Sequence, residues 1–214
     1  DMKFVLMVAG EASADQYGAA LVKEIRLRQP DIVFWGIGGK RMAEAGVRIL
    51  FTPEEMAVVG LTEVIPRISK IFTASRVLQR ILKRNRPDLL LLLDYPDFNI
   101  RLARVAKDLG ITILYYVSPQ VWAWRGGRVK KIAQIVDRMA VIFPFEEEIY
   151  KKAGVECEFV GHPIFEEIES IVKKDGKAFY AGFECVMAKN MSDDAGLIRG
   201  AVMDITERRL AQEV

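Results

Sequence analysis

Seven apolar runs of strand length punctuate the chain, at residues 4–9, 32–37, 47–51, 89–93, 111–117, 139–143 and 157–160. They are nearly continuous rather than alternating, "LLLLL" at 89–93 above all, which marks strands covered on both faces, as in parallel sheets. Helical patterns lie between them. In one, Phe98, Leu102, Val105 and Leu109 keep a single face apolar, with Asp97 expected as N-cap and Gly110 as the stop. Strands and helices alternating in this way predict an α/β fold, a doubly wound parallel Rossmann-like sheet.

Such a sheet binds ligands outside the carboxyl ends of its strands. The unusual residues fall there: "GEASADQYG" after the first strand, "DYPDFN" after the fourth, "SPQVWAWR" after the fifth, "FPFE" after the sixth and "GHP" after the seventh. Gly10 permits a tight turn, and the helix start beyond it offers free N–H groups to an anion or a sugar hydroxyl. Ser13 or Asp15 acting as a plain N-cap is the competing reading. Neither the dinucleotide fingerprint G-x-G-x-x-G nor a P-loop is present, which argues against a generic nucleotide-binding protein. Asp97 is accounted for by capping. Asp94 is not: a carboxylate beside a five-leucine strand is costly to bury unless it has a partner or a task. It is the candidate catalytic or ligand-orienting group.

Composition narrows the function classes. The 214 residues, 51% hydrophobic and 28% charged, are those of a globular protein with a substantial core. One histidine, His162, and two cysteines, Cys157 and Cys185, give no metal-ligand spacing and no disulfide framework, so we expect no metal, no cofactor and a reducing cytoplasm. The "KFVLMVAGEASA" start imitates a signal peptide, but its apolar run reads better as the first strand. The leucine block is far too short to span a bilayer. Residues 67–86 carry seven basic and no acidic side chains around an apolar stripe. This predicts a helix packed on the sheet whose basic outer face is either simply solvated or meets an anionic membrane. No nucleic-acid partner is expected.

The segments "GEASADQYGAALV", "MAVVGLTEV", "RPDLLLLLDYPDFNIRLA", "YYVSPQVWAWR", "FPFEEEIY" and "FVGHP" resemble, in order and spacing, the lipid-A-disaccharide synthase family over residues 2–166. The resemblance implies the amino-terminal half of a GT-B glycosyltransferase. That family joins UDP-2,3-diacylglucosamine to 2,3-diacylglucosamine 1-phosphate on the cytoplasmic side of the inner membrane, as a peripheral protein. It implies Asp94 as the catalytic group. Substrate contacts would come from Gly10, Glu11, Ser13 and Asp15 in the first loop, and from Gly60 and Glu63 in "MAVVGLTEV". Asp97 and Asn99 would supply others, as would Ser118, Gln120, Trp122, Trp124 and Arg125, with His162 at the hinge. Trp122 and Trp124 would line an acyl path while Arg125 and Arg128 face the phosphate or lipid headgroups. The family's first loop reads Gly-Glu-x-Ser-Gly-Asp, and Ala14 stands here at the second glycine, a strained position if it requires positive φ.

From about residue 170 the β/α alternation gives way to short strand patterns and a charged helix. "KKDGKAFY" and "AGLIRGAVMDITERRLAQE" look like the end of a PAS sensor domain. The expected organisation is therefore an acceptor domain at 1–168 and a PAS-like remnant at 169–214. A donor domain for UDP-diacylglucosamine is not expected in this chain, which by itself should not make the disaccharide. The alternative readings are a sensory or interaction module built on the PAS-like fragment, or a generic nucleotide-binding Rossmann protein.

Overall fold

The computed structural model describes residues 3–56, 64–119 and 126–163. The chain divides into two units, Asp1–His162 and Pro163–Val214, and all the described residues but Pro163 belong to the first. The stretch expected to be a PAS-like remnant, 169–214, lies outside the described residues.

The elements run β1 (Phe4–Ala9), α1 (Ala12–Arg28), β2 (Val33–Ile37), α2 (Lys40–Glu44), β3 (Arg48–Phe51), α3 (Pro53–Met56) and α4 (Val64–Asn85). There follow β4 (Leu89–Leu93), α5 (Pro96–Asp108), β5 (Thr112–Tyr116), α6 (Gly126–Ala133), β6 (Arg138–Val141), α7 (Pro144–Lys152) and β7 (Glu156–Phe159). Every apolar run expected to be a strand is one. All pair in parallel, in the order β3-β2-β1-β4-β5-β6-β7. This is the doubly wound sheet that the alternation predicts.

Strand geometry sends successive side chains to opposite faces, so an all-apolar strand serves two cores. On β1, Val5, Met7 and Ala9 join Leu91 and Leu93 of β4 under α1 and α2. Leu6 and Val8 join Leu90 and Leu92 under α4 and α5, with Tyr115, Ile132 and Tyr150 in the same cluster. α4 turns Ala74, Leu78 and Leu82 to the sheet and leaves Lys70, Arg76, Arg80, Lys83 and Arg84 exposed. The basic stretch is thus packed on one side and solvated on the other. No helix among the described residues is long and apolar enough to cross a membrane.

Two expected caps are corrected. Glu11, not Ser13 or Asp15, is the N-cap residue of α1, in extended conformation and with no side-chain cap bond. α5 begins at Pro96, so Asp97 sits inside its first turn and Tyr95 is the N-cap residue. The proline explains the shift: its fixed φ and missing N–H suit the first helical position. Gly110 does stop the helix, at φ +70 with its N–H on the Lys107 carbonyl. Ala14 lies within α1, buried and outside the positive-φ residues, so it strains nothing.

The two faces of α4 should respond differently to truncation. Leu78→Ala is expected to destabilise the chain by about 2–5 kcal/mol, and Arg80→Ala to change stability by less than about 0.5 kcal/mol, in denaturant titration.

Candidate functional site

In the strand order, β1 sits between β2 and β4, and the chain winds outward in both directions from that point. The crevice at the carboxyl ends of β1 and β4 is therefore the topological switch point, where such sheets bind ligands. Glu11 follows β1 and Asp94 follows β4. The amino termini of α1 and α5 both open there, with backbone N–H groups that favour an anionic or hydroxyl-bearing ligand.

The backbone is strained at this edge. Asp94, Tyr95 and Val117 have φ of +47°, +46° and +63°, values that L-residues rarely adopt and that a β-branched valine adopts least of all. Asp94 and Val117 end adjacent strands, and the Asp94 N–H donates to the Val117 carbonyl at 3.3 Å. Strain of this kind persists only where surrounding contacts hold it, and it gathers at functional sites.

Tyr95 explains Gly10. A Cβ at Gly10 would lie 2.4 Å from Cγ of Tyr95, so the glycine makes room for the ring. Gly10 is not among the positive-φ glycines, and its need is for space rather than for a turn. The ring then stacks on Phe98, with centroids 5.5 Å apart.

Asp94 is half-buried, and its carboxyl is pushed up from 3.8 to about 6. Burial is the main cause and the negative charge of Glu11 adds to it, while a hydrogen bond from the Tyr95 N–H pulls the other way. The result is a carboxylate largely ionised at neutral pH yet able to take a proton readily, the property a general base needs. Tyr95 is itself raised, by burial and then by Glu11 and Asp97.

The other expected residues divide. Glu11 and Ser13 are exposed at the crevice. Asp15 is turned inward, its carboxylate accepting from the N–H groups of Gly39 (2.7 Å), Arg41 (3.1 Å) and Met42 (3.1 Å) at the start of α2. Asp97 meets Arg128 at 3.2 Å, which ties the start of α5 to α6. Asn99 is fully buried and donates to the carbonyls of Asp94 (2.7 Å) and Leu93 (3.3 Å). Ser118, also buried, donates to Oε1 of Glu146 at 2.6 Å. His162 packs against the rings of Tyr17 and Phe143, and burial lowers its pKa by disfavouring the charged imidazolium. Gly60, Glu63, Gln120, Trp122, Trp124 and Arg125 lie outside the described residues.

Sequence reasoning missed Tyr95, Tyr115 and Glu146. Tyr95 carried a signal, flanked as it is by Asp94 and Pro96. Tyr115 reads as one more apolar strand residue, and Glu146 as one of three glutamates in an exposed first turn.

A doubly wound parallel sheet with this polar, strained carboxyl edge is a Rossmann-type architecture. The family model described as lipid-A-disaccharide synthetase matches residues 5–180, and the chain belongs to that family. The match runs on through residues 169–180, which sequence reasoning assigned to the tail. The lipid-A-disaccharide synthase of Geobacter metallireducens is 55% identical over 166 residues, 78% of this chain and 43% of the relative. That of Geobacter sulfurreducens is 53% identical, covering 80% and 44%, and that of Trichlorobacter lovleyi 51%, covering 85% and 48%. The chain thus spans less than half the length of these curated relatives. Among solved structures, Acinetobacter baumannii MurG superposes with a TM-score of 0.45 at 18% identity, over 66% of this chain and 42% of that one.

The raised carboxyl at Asp94 has a consequence for stability. Below about pH 3.8 the group is protonated in both the folded and the unfolded chain. As pH rises the unfolded chain ionises first, so stability falls until about pH 6 and then levels off. Asp94→Asn removes this penalty. Allowing for solvent screening of a half-buried group, the variant should be more stable than the parent by about 1–2 kcal/mol at neutral pH. The gain should vanish near pH 3 in denaturant titrations run across pH.

Proposed function

We propose that this chain is the acceptor-binding half of a lipid-A-disaccharide synthase and that Asp94 is its general base. The observation that carries the reading is Asp94 itself: a half-buried carboxyl at the switch point, poised at about 6 beside Glu11. Asp94 takes the proton from the attacking hydroxyl of 2,3-diacylglucosamine 1-phosphate. The hydroxyl oxygen bonds to the anomeric carbon of UDP-2,3-diacylglucosamine, and UDP leaves with the electron pair of the broken bond. Glu11 and Ser13 contribute polar groups to the acceptor, and the two helix amino termini favour its phosphate. Trp122 and Trp124 provide apolar surface for acyl chains beside Arg125. Gly60, Glu63 and Gln120 complete the acceptor's contacts, and His162 leads out of the domain. The donor is held by a second domain outside 1–168. For the stretch 181–214, beyond the family match, we keep the PAS-like reading, which rests on "DITERR".

The exposed basic residues of α4, with Phe72 55% exposed among them, suit a peripheral site on the cytoplasmic face of the inner membrane. Two measurements test these statements. In a chimera joining residues 1–166 to the carboxyl-terminal half of the Geobacter metallireducens relative, Asp94→Asn should lower turnover about 10²–10⁴-fold. Turnover equal to that of the parent would remove Asp94 from the chemistry. In co-sedimentation, the chain should bind phosphatidylglycerol-containing vesicles more than neutral ones, and salt should weaken the difference. Arg80→Ala with Arg84→Ala should reduce it.

A further inference from the structure

Asp94 and Tyr95 are consecutive residues in the left-handed region, and neither is a glycine, so something other than intrinsic preference holds them there. The peptide between them offers its carbonyl to two buried side chains. The Tyr115 hydroxyl, from β5, donates to the Asp94 carbonyl oxygen. Asn99 Nδ2, from α5, donates to the same oxygen at 2.7 Å and to the Leu93 carbonyl at 3.3 Å. Both donors come from fully buried residues. A carbonyl oxygen has two lone pairs, and this one is satisfied from two directions by two different elements.

Rotation of that peptide would break both bonds and deprive two buried donors of their shared acceptor, which is unfavourable where water cannot replace it. The arrangement also aims the side chain. With the Asp94 carbonyl held inward, the left-handed turn fixes the direction of its Cα–Cβ bond at the crevice. Asn99 contributes a third constraint, since its own N–H donates to the Tyr95 carbonyl at 3.1 Å. Asn99 Oδ1, by contrast, is buried without a hydrogen-bond partner. A residue whose amide makes two backbone bonds while its oxygen makes none is placed for the donors, and a leucine of similar size would remove them.

We infer that Tyr115 and Asn99 are positioning residues that clamp the Asp94–Tyr95 peptide and thereby hold the Asp94 carboxyl in the half-buried place where it can act. The inference deepens the base assignment and rests on it for its role in turnover, but the clamp is a property of this chain alone. It also reassigns Asn99, which the family resemblance made a substrate contact. The titratable and charged groups around Asp94 are Glu11 from the loop after β1, Tyr95 and Asp97 at the start of α5, and Tyr115 from β5, with Arg128 of α6 paired to Asp97. None of these charges changes in the test variants, since the Tyr115 hydroxyl is neutral throughout the range in which Asp94 titrates.

The test is carbon-detected NMR on the isotope-labelled 214-residue chain, its Tyr115→Phe and Asn99→Leu variants, and Asp94→Asn. The parent should show left-handed backbone shifts at Asp94 and Tyr95, and an Asp94 carboxyl titrating near 6. In Tyr115→Phe, which keeps the ring, and in Asn99→Leu, those shifts should collapse toward ordinary values. The carboxyl midpoint should then fall by about one unit or more as the group reaches water. Asp94→Asn should keep the left-handed shifts at Tyr95, because the clamp grips the carbonyl and not the carboxyl. A folded Tyr115→Phe or Asn99→Leu chain with the parent's shifts and midpoint would overturn the clamp, and so would loss of the Tyr95 shifts in Asp94→Asn. If one of the first two variants does not fold, the other decides. No arm reads turnover, so an active Asp94→Asn chimera would sink the base assignment and leave these outcomes standing.

Discussion

A strand of five leucines cannot lie at the edge of a water-facing sheet, and that constraint organises the rest of the molecule. β4 pairs with β1 on one side and β5 on the other, and its alternate leucines fill two separate cores. Both faces of such a strand must be covered, and here helices on the two sides of a doubly wound sheet cover them. Once β4 is central and next to β1, the point where the winding reverses falls at their carboxyl ends. Asp94 is the first residue beyond that strand, so the same burial that stabilises the sheet also sets the electrostatics of the crevice.

Three carboxylates near this edge show how differently burial can be met. Asp15 accepts three backbone N–H bonds from the start of α2, a charge-assisted cap that needs no ligand. Glu146 accepts from the Ser118 hydroxyl and, at 3.3 Å, from the Phe143 N–H, and with them it pins the loop that leaves β5. Tyr150 adds a bond to the Pro119 carbonyl at 3.4 Å. Asp94 is the exception. The Tyr95 N–H offsets part of its desolvation, and Glu11 works against it, so its affinity for a proton rises. Two of these carboxylates hold the scaffold and the third carries the candidate chemistry.

The sequence was informative wherever one residue's own chemistry decided its fate. Apolar runs became strands, Gly110 ended α5, and the polar residues after β1 and β4 met at one edge. It was silent where the outcome depended on a distant partner. Asp15 and Asn99 have the chemistry of ligand contacts, yet α2 and the end of β4 claim their polar atoms. Gly10 looked like a turn glycine, and the nearness of Tyr95, far along the chain, gave it another reason. Tyr115 was invisible for the same cause: within "ITILYYV" it is a β-former, and only the packing of β5 against β4 brings its hydroxyl to Asp94.

The sequence by itself determined the strand set, its covering by helices on both faces, and the edge on which the candidate residues gather. Those properties follow from hydrophobic periodicity, which is local and repeats every two or 3.6 residues. Only the tertiary structure decided which polar side chains stay available to a ligand. Hydrogen-bond partners dozens of residues apart are chosen by strand order and register, and no local pattern encodes that choice. Asp94 and Asp15 are the same residue type at the same edge, and the neighbours that folding brings to each separate the poised carboxyl from the helix cap.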